Sequence, residues 1–221
     1  MDGSISGGFA VVVDSGHEYY AIGGTVKAVT LYSDGLPNWM YSGNPVQVYS
    51  GGPIHGMAIR NGELYISDTT NNQILVYNTS TFALARSWSV TRPGPLAFDG
   101  NGNLWVIRQY TTNGSGQTVD GNNNIIYQAG SNEGDQVNAY TTTGTLLTGK
   151  TISGTGTNFR PCALVYDATN GRLLVADNGP DQQIKGYTNL AAGTGTPTQS
   201  YTFGYQGGVF AGPNPGAVYD A

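Results

Sequence analysis

A chain of 221 residues with 34 glycines, 15 tyrosines and only 10% charged side chains is composed for tight turns and pleated strands, and long runs of Ala, Leu, Glu and Lys are missing. A net charge of −5 leaves no basic patch to hold a phosphate backbone, which argues against nucleic acid as a partner. No apolar run reaches the length of a membrane helix, the opening MDGSISGG has neither region of a signal peptide, and the single cysteine, Cys162, excludes an internal disulfide and a cysteine zinc cage.

Four similar units follow one another along the chain. The first has alternating runs Phe9 to Val13, Tyr19 to Ile22 and Thr25 to Val29, with Asp14-Ser-Gly16 as a turn and Trp39 to Tyr41 as a fourth, outer run. The second, GMAIRNGELYISDTTNNQILVY from Gly56 to Tyr77, is the clearest. Its Asn61-Gly62 pair between two alternating runs is the strongest short-range hairpin signal, because both central residues of a type I′ turn need positive φ. Ala85 to Val90 is its outer run. The third has Leu96 to Phe98, the turn Asp99-Gly-Asn-Gly102, Leu104 to Ile107, Gln136 to Tyr140 and Leu146 to Ile152. Between Arg108 and Gln136 it carries an extra polar segment in which Ile125 to Tyr127 is expected to add a short hairpin strand. The fourth has Ala163 to Tyr166, a turn at Asn170-Gly171, Leu173 to Ala176, Gln183 to Tyr187 and Gln199 to Phe203.

Tyr19, Leu64, Leu104 and Leu173, the starts of the second runs, stand 45, 40 and 69 residues apart. The first two spacings are those of a four-stranded propeller blade, and the third is one period plus an insertion. The expected fold is therefore all-β: a β-propeller of four-stranded antiparallel blades over residues 7–52, 53–92, 93–153 and 158–204, with 207–221 as a linker toward a further blade. Closure hides the sheet edges and gives each blade two neighbours, and the fourth unit keeps the interior-type residues Leu173 to Ala176 where a terminal face would carry polar substitutions. Four blades are accordingly expected to form an open arc of a larger propeller, completed by the rest of a longer chain or by a second copy.

The unit Gly56 to Tyr77 resembles an NHL repeat, whose strands read Gly-Ile-Ala-Val, Leu-Tyr-Val-Ala-Asp and Asn-x-Arg-Ile around an Asp-Gly-Asn turn. Asp99-Gly-Asn-Gly-Asn103-Leu-Trp-Val and Leu174-Val-Ala-Asp177-Asn178 carry the same likeness, which spans about residues 54 to 190. The pattern departs where the third-strand Arg becomes Gln73, Gln136 and Gln183, and where Arg108 replaces the Asp that ends the second strand. The resemblance implies a superfamily of lactonases of the gluconolactonase type, peptidylglycine lyases and non-catalytic binding proteins, so the fold does not fix the function.

Asp68 and Asp177 occupy one repeat position and are expected to hold the following turn by accepting its backbone N–H groups. Oxygen-rich clusters of this kind also suit calcium, the one cofactor the sequence suggests, although the spacing of an EF-hand loop is missing. His55 and Arg160, each three residues before a first-run alanine, are expected at equivalent places on one mouth of the channel, where they suit a neutral or anionic ligand such as a sugar acid. The resemblance to the lyases implies zinc-binding histidines at such entries, but the third-blade counterpart is Gly94 and the other histidine, His17, is in a turn. Resemblance to the lactonases implies a Glu opening an innermost strand; Glu18, Glu63 and Glu133 stand elsewhere. Tyr110, Asn113, Asn122 to Asn124 and Tyr127 in the insertion form a candidate sugar platform, with rings to stack on C–H surfaces and amides for hydroxyls.

The reading is a non-catalytic binding or scaffold propeller that takes carbohydrate or protein through loops at one face. The alternative is a gluconolactonase-type metal-dependent hydrolase or related lyase whose site lies partly outside these residues. A surface rich in Asn, Thr and Gly and poor in Lys suits an extracellular or cell-envelope location.

Overall fold

The structure, a computed structural model, describes residues 10–39, 43–112, 118–119, 133–154 and 159–204, and in them the chain forms eighteen strands and no helix. The first sheet holds β1 (Val11–Val13), β2 (His17–Ile22), β3 (Thr25–Thr30) and β4 (Val46–Ser50), and the second β5 (Ile54–Arg60), β6 (Glu63–Asp68), β7 (Gln73–Asn78) and β8 (Leu84–Ser89). In the third are β9 (Pro93–Phe98), β10 (Leu104–Gln109), β13 (Gly134–Tyr140) and β14 (Leu146–Ser153). The polar insertion contributes a separate two-stranded ladder, β11 (Thr111–Thr112) with β12 (Thr118–Val119). The fourth holds β15 (Pro161–Asp167), β16 (Arg172–Asp177), β17 (Gln183–Thr188) and β18 (Thr198–Phe203). All four are antiparallel meanders in the expected strand order, and Val11, Ala58, Ala97 and Ala163 lie in their first strands.

The chain divides into two compact units, residues 1–96 and 97–221. Within the first unit, Tyr19, Ala21, Val26, Ala28 and Val48 of the first sheet bury against Met57, Leu64, Ile66 and Leu75 of the second. Within the second, Trp105, Ile107, Val137, Ala139 and Ile152 of the third sheet bury against Leu173, Val175 and Tyr187 of the fourth. Period-2 alternation dictates both cores, since residues two apart share one side of a strand.

Asn61 and Gly62 have φ of 51° and 73°, the two positive values that a type I′ turn demands. Gly56 answers a different need, because a Cβ there would stand 2.7 Å from the Gly94 carbonyl oxygen and 2.9 Å from Pro95 Cα. Backbone approaches backbone at that point, and only glycine leaves room.

The structure corrects the expected pattern at several places. The outer strand of the first sheet is Val46–Ser50, whereas Trp39 sits in a turn and residues 40–42 lie outside the described residues. The chain first doubles back through a bridge between Leu31 and Pro37, and Asn44 donates to the Asn38 carbonyl at 2.7 Å. The fourth sheet's first turn is a four-residue loop, 168–171, closed by the Asp167–Arg172 pair, and among its residues only Gly171 has positive φ. Ile125 to Tyr127 lies outside the described residues. The stretch from Asn189 to Thr198, between the third and outer runs of the fourth unit, wraps the fully buried Lys150, whose ammonium donates to the Asn189 carbonyl at 2.6 Å, to Thr194 Oγ1 at 3.0 Å and to the Gly195 carbonyl.

Pairing register also revises the equivalences between repeats. Ile22 pairs with Thr25, and Asp68 with Gln73, so Tyr19 corresponds to Tyr65 and not to Leu64. Ala58 pairs with Tyr65 while Ala163 pairs with Ala176, the counterpart of Ser67. Ala163 therefore stands two positions from the place of Ala58, and the two extra residues of loop 168–171 make up the difference. Arg160 then corresponds to Pro53, and the counterpart of His55 is Cys162.

Candidate functional site

A buried carboxylate needs its lone pairs filled, and the repeat fills them from its own turns. Asp68, at the end of β6, is fully buried. Its Oδ1 accepts the Asn71 N–H at 3.0 Å, and its Oδ2 accepts Tyr49 OH at 2.7 Å, Asn71 Nδ2 at 2.7 Å and Gln73 Nε2 at 3.0 Å. Asp177, at the end of β16, accepts the backbone N–H groups of Arg160 and Gly179, each at 2.8 Å, and its Oδ2 meets Lys185 Nζ at 2.6 Å. Asp99 repeats the device at the first turn of its sheet. Asn101 and Asn103 donate backbone N–H groups to Oδ1, and the Trp105 indole donates to Oδ2 at 2.9 Å.

The electrostatics of the Asp68 knot give a pH prediction. Burial raises the Asp68 pKa, but donors from Gln73, Asn71 and Tyr49 outweigh it and hold the carboxyl below its ordinary value. Glu63 is also held low, first by the Arg86 guanidinium at 2.7 Å, against burial. A group depressed in the folded state adds stability that is complete above its unfolded pKa and disappears as pH falls through the folded one. Urea midpoints of the wild-type chain should fall between about pH 5 and pH 2, and the Asp68→Asn variant should show a flatter profile over that window. Equal slopes would mean that Asp68 is not part of the acid transition.

One polar cluster is not explained by the repeat. Glu133, the residue before β13, is 4% exposed although charged. Its Oε1 accepts Asn178 Nδ2, while Oε2 lies 3.6 Å from Arg160 Nη1 and has no hydrogen-bond partner. That spacing is too long for a hydrogen bond and short enough for one bridging oxygen. The cluster gathers at the end of the second unit where β16 passes into β17, and Lys185 lies beside it, pinned between Asp177 and Asp181 at 2.6 Å each. Burial works against the Lys185 charge, but the two aspartates outweigh it and raise its pKa. Cys162 is nearby in sequence and its thiol is pushed up, first by burial and then by the charges of Glu133 and Asp177, which leaves it a poor nucleophile at neutral pH.

Of the residues expected at a site, Arg160 and Asp177 are brought together by the Arg160 N–H. His55 is half-buried inside β5, in the first unit. Tyr110 corrects the expectation of an exposed platform: it is 7% exposed, with its hydroxyl 3.5 Å from the Phe159 carbonyl and its N–H on the Glu133 carbonyl. Asn122, Asn124 and Tyr127 lie outside the described residues. Of the other aromatics, Tyr19, Tyr65 and Trp105 are wholly buried, whereas Tyr32 and Trp39 are about half exposed, at 48% and 53%. Sequence reasoning placed Glu133 only in the insertion; the signal was an acid between Asn132 and Gly134, two residues before Asp135, at the point where the strand pattern resumes. Among the described residues no three His, Cys, Asp or Glu side chains converge as a metal site, and no helix is long and apolar enough to cross a membrane.

No protein-family model and no curated protein sequence matches this chain. Solved structures share its fold. A candidate 6-phosphogluconolactonase from Bacteroides uniformis superposes with a TM-score of 0.59 at 14% identity, over 87% of this chain and 56% of its own. Hydrazine synthase from Kuenenia stuttgartiensis gives 0.60 at 8% identity, over 92% and 52%, and a protein from Lactobacillus plantarum gives 0.59 at 16%, over 87% and 56%. At these identities the likeness shows the fold alone, a β-propeller built of four-stranded blades. The chain spans little more than half the length of the structures it matches.

Proposed function

We propose that this chain is a non-catalytic binding module built from NHL-type blades, and that it takes a carbohydrate at the loop end of its second unit. The observation that carries the reading is Glu133 Oε2, a carboxylate oxygen closed off from solvent and without a hydrogen-bond partner, 3.6 Å from Arg160 Nη1. One sugar hydroxyl placed between them would donate to the carboxylate and accept from the guanidinium, satisfying both with charge-assisted hydrogen bonds. Asn178 orients the carboxylate through its other oxygen. On this reading the insertion that ends at Glu133 supplies Asn122, Asn124 and Tyr127 as amide and ring contacts. Asp68, Asp99 and Asp177 are structural, because their oxygens are occupied by donors of their own turns and of neighbouring strands. A sugar-binding propeller poor in lysine suits the cell envelope or the extracellular space.

Calorimetric titration of the full chain with a panel of neutral and acidic sugars tests the proposal. A ligand bound by the wild-type protein should lose about 10- to 100-fold in affinity on Glu133→Gln, the worth of one hydrogen bond to a charged group. Binding that survives the substitution unchanged would place the ligand elsewhere. Chelator-sensitive hydrolysis of an aldonolactone by the purified protein would overturn the non-catalytic reading in favour of the gluconolactonase-type alternative.

A further inference from the structure

The two packed cores obey one rule. Counting back from the last residue of each second strand that pairs with the third in unbroken register (Ile22, Asp68, Arg108, which precedes the bulge at Gln109, and Asp177), residues one and three before it form one side of the sheet. This is the trailing face: Tyr19 and Ala21 in the first sheet, Trp105 and Ile107 in the third. Residues two and four before it form the leading face: Leu64 and Ile66 in the second sheet, Leu173 and Val175 in the fourth. In both units the trailing face of one sheet buries against the leading face of the next.

The fourth sheet's own trailing face follows from the same count. It carries Leu174 and Ala176, with their cross-strand partners Val165 and Ile184 and, next to Ile184, Phe203. Val165 is 57% exposed, Ile184 38% and Phe203 63%. Ala176, Ile184 and Phe203, together with Cys162 and Gln183, line a cleft of about 460 Å³ there. The first sheet's leading face carries Glu18, Tyr20 and Ile22 with Val11 and Val13 beside them, and Val11, Val13 and Ile22 are 60%, 58% and 50% exposed. Trp39 extends this patch by packing on Tyr20 with ring centroids 5.6 Å apart. Each face is mostly apolar at its centre, with Glu18 and Lys27 on the leading one and the Arg172–Asp167 pair at the end of the trailing one.

We infer that a second copy of this chain docks the leading face of its first sheet onto the trailing face of the fourth sheet. The occupant is identified by the packing rule: a trailing face accepts a leading face, and the exposed leading face belongs to the same sequence. Tyr20 and Ile22 stand at the height of the cleft, one residue to either side of the level of Ala176 and Ile184. At the same end of the second strand the leading face carries Glu18 and the trailing face Arg172, which is paired with Asp167 at 2.9 Å in its own sheet. Because the contact is between two different faces, each copy offers both, and copies associate head to tail. The inference does not rest on the sugar proposal, although Asn178, which holds Glu133, also lines the cleft.

Light scattering on the full chain at micromolar concentration should give at least twice the monomer mass. Val165→Glu and Val13→Glu each place a charge in a half-exposed position and should leave the circular dichroism spectrum unchanged while raising the dissociation constant at least tenfold. Mixing the two variants should restore pairing, since one still has an intact leading face and the other an intact trailing face. A monomeric wild type, a dimer indifferent to both substitutions, or a mixture that stays monomeric would each overturn the inference.

Discussion

Replacing Lys185 with methionine should cost the fold about 3–5 kcal/mol, the penalty of leaving a buried charge without its partner. Lys185 is 10% exposed in its side chain and Asp177 is fully enclosed, so solvent cannot take over the role of the ammonium. Asp181 is better hydrated, at 26% exposure, and its loss of the same partner should matter less. Adding Asp177→Asn to the lysine variant should recover part of the stability. The neutral amide no longer needs a counter-charge, and its carbonyl oxygen can still accept the Arg160 and Gly179 N–H groups. Urea denaturation of the single and double variants checks this, and equal losses in both would show that the ion pair is not the source of the effect. The raised pKa of Lys185 fixes the sign of its pH dependence. Its contribution is complete below the ordinary lysine value, about 10.4, and is lost as pH climbs through the higher folded value.

Trp105→Ala should be of similar size, about 3–5 kcal/mol, because it empties the largest wholly buried side chain of the second unit and the sheets around it close only partly. The ring packs among Ile107, Val137 and Val175, and its N–H closes the Asp99 turn. Trp105→Phe separates the two contributions. It keeps most of the apolar volume and removes the indole donor, and should cost about 1–3 kcal/mol. Thermal unfolding followed by near-ultraviolet circular dichroism reports both. A phenylalanine variant as unstable as the alanine one would mean that the hydrogen bond, and not the packing, dominates at this position.

Much of the fold was legible because it is written in short-range signals repeated down the chain. Alternating runs such as Gln73 to Tyr77, and the Asn61-Gly62 pair, specify strand and turn from a handful of adjacent residues, and strand order in a meander follows from chain order. Sequence alone also led to Asp68 and Asp177 through their shared repeat position. The loops were harder to read. Whether β2 and β3 are joined by Gly23-Gly24 or a longer turn changes which residue faces which by one place, and a one-residue shift exchanges the two sides of a strand. The tight Gly23-Gly24 turn is why Tyr19 belongs with Tyr65, and the two extra residues of loop 168–171 are why His55 and Arg160 are not equivalent.

The fold class, the blade repeat and the turn-closing carboxylates were thus determined by the sequence, since each depends on residues only a few positions apart. Tertiary structure alone decided that Glu133 lies against Arg160 and Asn178, which stand 27 and 45 positions away in the chain. It also decided that Tyr110 is a core residue and that Val165, Ile184 and Phe203 share one exposed face. These facts depend on how separate strands are brought into register across the sheets. No local pattern encodes that register, because it is set by turn lengths and by which apolar faces meet.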